Sequence, residues 1–64
     1  MNWSVAVFIN HKSLMRQFHG ERAEAEARSF FAFVVANTSH DVGLYNDDAS
    51  AGKPVACTWE RVTA

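Results

Sequence analysis

Sixty-four residues, 48% of them hydrophobic and carrying a formal net charge of −1, bound the answer before any motif is read. One domain over residues 1–64 is expected, and its core is marginal, because a chain this short buries only ~60% of the surface exposed by its unfolded form. Six Lys and Arg against seven Asp and Glu exclude a strong general pull on nucleic acid or an anionic membrane, and the one cysteine excludes an internal disulfide.

Trp3, Val5, Val7 and Ile9 alternate with Ser4, Ala6, Phe8 and Asn10. That period of two, rich in β-branched and aromatic residues, predicts a first strand. Residues 10–13 carry turn-tolerant side chains, so the chain is expected to reverse there. Residues 14–19 predict a second strand, with Leu14, Arg16 and Phe18 on one face, Met15, Gln17 and His19 on the other, and Gly20 as its end. The period then changes. Residues 21–37 open with charges set among alanines and close on Phe30, Phe31, Phe33, Val34 and Val35. Ala23, Ala27, Phe30, Phe31 and Val34 fall on one helical stripe. Small alanines at its start let the helix approach a sheet closely, and the phenylalanines fill the wider end. Glu21 and Glu24 complement the positive end of the helix dipole, and Asn37 predicts a left-handed cap.

Val42-Gly43-Leu44-Tyr45 predicts a short third strand, and residues 46–53 a loop. Pro54 opens a fourth strand, where its missing N–H matters least, and the pattern continues to Val62. Val55, Cys57 and Trp59 are read as the inward face of that strand. The order ββαββ predicts an α+β domain: a four-stranded, mainly antiparallel sheet with one helix packed on one face. Val5, Val7, Ala27, Phe30, Val34, Leu44 and Val55 form the expected core. The other face of the sheet stays open, with its edge strands, as the place where a partner docks.

No catalytic, metal or nucleotide motif is legible. Cys57 needs a nearby histidine to serve as a nucleophile, and on an inward face it reads as a buried apolar thiol. His11, His19, His40 and Cys57 fall one per element, without the close paired spacing of a zinc site. Asp41, Asn46, Asp47, Asp48 and Ser50 are rich in oxygen, yet the spacing, central glycine and terminal glutamate of an EF-hand are missing. A tautomerase-type enzyme needs a proline after the initiator Met, and residue 2 is Asn. The expectation is a protein that is not an enzyme and uses no cofactor or metal. Lys12, Arg16, Lys53 and Arg61, with Phe8 and Trp59, make a thin set of cations and stacking aromatics for nucleic acid, close to acidic neighbours. The N-terminal residues lack the basic and apolar regions of a secretory signal, and no apolar run approaches the ~20 residues that span a bilayer. A reducing cytoplasm is the expected compartment.

The layout as a whole resembles the short ββαββ proteins of bacteriophages and mobile elements. In those, a strand such as Trp3-Ser4-Val5-Ala6-Val7 and a hairpin lead into an Ala/Glu-rich helix like residues 21–28. The resemblance spans nearly the whole chain at the level of pattern and transfers no site residue. It implies an inhibitor of the anti-CRISPR kind, occupying a surface of a larger protein or ribonucleoprotein complex in the host cytoplasm. The residues themselves point to Phe8 and Tyr45 as aromatic anchors on the open sheet face, and to the acidic Asp47-Asp48 loop. Phe33 lies off the apolar stripe, and either packs under a loop or anchors a partner or a second copy. The alternative reading is a nucleic-acid-binding or regulatory module.

Overall fold

The alternating run at the start of the chain forms β1 (Asn2–Ile9), which pairs antiparallel with β2 (Lys12–His19) on one side and β3 (Asp41–Asn46) on the other. A computed structural model describes residues 1–48 and 53–59. The helix α1 (Ala23–Asn37) links the two halves, and a short β4 (Ala56–Cys57) completes one sheet in the order β2-β1-β3-β4. The ββαββ architecture expected from the two periodicities is the one observed. No helix among the described residues is long and apolar enough to cross a membrane.

The first hairpin is tighter than expected. Ile9 pairs directly with Lys12, so only Asn10 and His11 turn, and Lys12 and Ser13 are already strand. Asn10 takes φ 58°, a left-handed conformation that asparagine tolerates better than most residues. Gly20, at φ 100°, ends β2 where a side chain would be strained. Its N–H donates to the Met1 carbonyl at 3.0 Å.

Helix α1 starts at Ala23, two residues later than expected, because Arg22 stands at the N-cap and makes no side-chain capping bond. At the other end the predicted left-handed cap at Asn37 does not form. Asn37 remains helical, and Thr38 leaves in an extended conformation (φ −141°, ψ 153°). The Asn37 side-chain amide donates instead to the Phe33 carbonyl at 2.7 Å, folding back over the last turn of its own helix. On the solvent side Arg28 pairs with Glu24 one turn away at 2.9 Å, worth a few tenths of a kcal/mol.

The core lies between sheet and helix. Trp3, Val5, Val42 and Leu44 meet Ala23 and Ala27, while Val7, Phe18, Phe30, Phe31, Val34 and Ala56 pack at its margin. The alanines touch the sheet closely and the phenylalanines fill the wider end, as their sizes require. Of the expected core, Val5, Ala27 and Leu44 are central, and Val7, Phe30 and Val34 form the rim. Val55 is not in the core: it is 48% exposed. The cause is register. Leu44 pairs with Ala56 and Gly43 with Cys57, so Ala56 shares the inward face of Leu44 and Cys57 shares the outward face of Gly43. A slip of one residue moves every side chain of a strand to the opposite face. Cys57 and Trp59 are therefore outward, contrary to the sequence reading. The described part of the fourth strand is also short, and residues 60–62 of the expected strand, like Ser50 and Arg61, lie outside the described residues.

Candidate partner-binding surfaces

The outward sheet face carries its own aromatic layer. Phe8 and Trp59 meet edge to face, with ring centroids 5.4 Å apart and an interplanar angle of 86°. A Cβ placed on Gly43 would fall 2.7 Å from Trp59 Cη2 and 2.8 Å from Tyr45 Cε1. Both rings thus lie directly on the Gly43 backbone, which only a residue without a side chain permits. Ala6, the register partner of Gly43, is buried as well. The face expected to be bare is thus floored by Ala6 and Gly43 and partly roofed by Tyr45 and Trp59. Burial pushes the Tyr45 hydroxyl above its ordinary pKa, with a further contribution from Cys57. Of the two anchors expected here, Phe8 stays 36% exposed and Tyr45 is half-buried. Trp59 joins them. The sequence reading placed it on the inward face of the fourth strand, because an aromatic residue in an apolar run carries no signal of which face it takes.

The acidic pair at the end of β3 is tied inward to the chain. Asp47 accepts a hydrogen bond from the buried Ser4 hydroxyl at 3.0 Å. Asp48 accepts from the Asn2 backbone N–H at 2.6 Å and from the Asn2 side-chain amide at 3.1 Å. Those two bonds hold the Asp48 carboxyl below its ordinary value of 3.8, the backbone bond contributing most. A depressed carboxylate contributes stability that is present above the ordinary pKa and is lost as pH falls through the folded pKa. Wild type is therefore expected to lose stability below about pH 4. Asp48→Asn should be weaker than wild type at pH 7 and converge with it at pH 2–3, as read by urea midpoints across pH. Parallel pH curves for the two proteins would show that the clamp contributes nothing.

A second surface runs along the helix flank and the free edge of the sheet. Among the described residues β2 pairs only with β1, and every one of its residues except Phe18 is exposed. Arg16 lays its guanidinium over the rings of Phe18 and Phe30, at 5.5 and 5.1 Å from their centroids. Beside it Val5, Val7, Leu14, Met15, Arg16 and Phe30 line a shallow groove of about 210 Å³. Phe33 projects from α1 one turn beyond Phe30 and is 63% exposed; Leu14 on β2 is 62% exposed. Of the two fates expected for Phe33, burial under a loop is not the one observed.

The remaining chemistry-bearing residues are dispersed. His19 bonds Asn2 through Nδ1 at 2.6 Å, His11 sits in the hairpin turn, and His40 follows the end of α1. Among the described residues no three His, Cys, Asp or Glu side chains gather within reach of a single metal ion. Cys57 is a free, half-buried thiol across the strand pair from Gly43. No protein-family model, no curated protein and no solved structure matches this chain.

Proposed function

We propose that this chain is a protein-binding module that acts stoichiometrically, by occupying a surface of a larger partner. The supporting observation is the amount of large apolar side chain left in solvent by a domain this small. Phe33, Leu14 and Met15 are each more than half exposed, Phe33 on the helix one turn from Phe30 and the other two on the edge strand, where with Phe30 they line one groove. Scattered exposed apolar residues are ordinary, but large ones along a strand that is at the sheet edge among the described residues are what a partner's strand or helix uses. On this reading the chain is an inhibitor or modulator of a host protein or ribonucleoprotein complex, of the phage-encoded kind its layout resembles. The nucleic-acid alternative is disfavoured at the outward sheet face. Its strand positions carry Asp41 and, among the described residues, no Lys or Arg to meet a phosphate.

Affinity capture from a host lysate with mass spectrometry identifies the partner, and Phe33→Glu tests the surface. Because Phe33 is mostly solvated, the variant should melt like wild type yet bind at least ~30-fold more weakly, as loss of an aromatic anchor requires. Undiminished binding by both Phe33→Glu and Leu14→Glu would remove the helix flank from the interface. Salt-sensitive, sub-micromolar binding to random-sequence DNA or RNA would overturn the reading altogether. Turnover of a substrate that is lost on replacing Cys57 or a histidine would do the same.

A further inference from the structure

One hollow on the outward sheet face combines two exposed aromatic rings with a carboxylate. Phe8, Trp59 and Asp41 line a depression of about 440 Å³. Phe8 and Asp41 are register partners across β1 and β3, so their side chains leave the sheet side by side on the same face. Trp59 stands against Phe8 at nearly a right angle, giving the hollow two aromatic walls. Phe8 is 36% and Trp59 40% exposed, so their rings remain open to a ligand. The Val42 N–H donates to the Thr58 hydroxyl at 2.9 Å, and that hydroxyl lies 3.5 Å from Asp41 Oδ1, a long contact on the near side of the carboxylate. Among the described residues no Lys, Arg or His forms a salt bridge with Asp41.

We infer that this corner is a receptor for a basic side chain, lysine or arginine, of a protein partner. The faces of Trp and Phe rings carry negative quadrupole potential and attract cations within ~6 Å. A carboxylate at the mouth adds a charge-assisted hydrogen bond to an ammonium or guanidinium and repels phosphate. The aliphatic stem of Lys or Arg packs along an aromatic wall while its charged head reaches the acid, a division of labour that suits both side chains. An apolar ligand would leave Asp41 unanswered, and an anionic one would oppose it. The inference rests on the protein-binding reading, and it names the chemistry by which the outward face takes part.

The test follows the indole N–H signals by NMR while Nα-acetyl-arginine amide and Nα-acetyl-lysine amide are added. Citrulline and norleucine amides serve as neutral counterparts, and tetramethylammonium as a free small cation. The Trp59 signal is expected to shift saturably with the two basic amides and not with the neutral ones. The buried Trp3 signal should stay fixed and so report an intact fold. Asp41→Asn should weaken the response by about twofold to fivefold, and Phe8→Ala should reduce it at an unchanged Trp3 signal. Equal shifts with citrulline and arginine, or none with either basic amide, would overturn the assignment. Tighter binding of tetramethylammonium than of both amides would overturn it in favour of a free quaternary ammonium ligand. Partner capture separates the two claims. Capture undiminished by Asp41→Asn would leave the protein-binding reading standing while this corner fails. A corner that binds arginine in a chain that captures no protein would reverse that outcome.

Discussion

Leu44→Ala is expected to cost about 2–5 kcal/mol, one of the large losses among truncations of the described core. Leu44 is among the largest fully buried side chains and sits on the inward face of β3, where the sheet meets the helix alanines. The loss has two parts: removed apolar contact, and the cavity left where neighbours relax only partly. Here relaxation is limited, because Ala23 and Ala27 are too small to lean into the gap and Trp3 and Val5 are held by strand pairing on both sides of β1. A domain of this length has only about 3–10 kcal/mol of stability to lose, so the variant should be largely or wholly unfolded near body temperature. The urea midpoint should fall with an unchanged slope, which marks a change of stability rather than of mechanism. Phe30→Ala, at the rim, should cost less, since its ring is only half-buried and its loss is shared with Phe18 and Arg16. A Leu44→Ala protein melting within a few degrees of wild type would show that this is not where the core lies.

The fold was legible because two periods of the sequence are unambiguous. Alternation over residues 3–9 and a helical stripe over residues 23–34 each leave one arrangement that buries their apolar side chains. The fourth strand was misread for an equally physical reason. In residues 55–59 both faces carry a half-buried side chain, Ala56 on one and Cys57 on the other, so apolarity does not say which one is inward; register does, and register depends on the distant pairing of Leu44 with Ala56. Gly43 was the available signal. A glycine in the middle of a strand marks a close approach by another group, and the approaching rings are those of Tyr45 and Trp59. That Asn2 and Ser4, more than forty residues away, bond the carboxylates of the acidic loop was not legible, because nothing local in the sequence brings them together. The angle of Phe33 on the helix took it off the apolar stripe but left burial under a loop and exposure both open, and its 63% exposure decides between them.

Ala27→Leu is the complementary test, one that adds volume where Leu44→Ala removes it. Ala27 is completely buried, and with Ala23 it sets how closely α1 approaches β1 and β3. Leucine is nearly as good a helix former as alanine, so the substitution leaves helix propensity almost untouched and acts through packing alone. The extra carbons must enter space filled by Trp3, Val5, Val42 and Leu44, and the helix must rise from the sheet or the side chain leave its rotamer. Either response costs typically 1–3 kcal/mol, and more where the surroundings cannot move. Lowering Tm by about 4–8 °C for each kcal/mol is expected in a domain of this size. The control is Ala32→Leu on the exposed side of the same helix, which should melt close to wild type. Far-UV dichroism should keep its helical signal in both variants, while the near-UV signal of the buried Trp3 should weaken only in Ala27→Leu. If the two variants proved equally stable, the close approach of helix and sheet would not be what holds this domain together, and the aromatic layer on the outward face would have to carry a larger share.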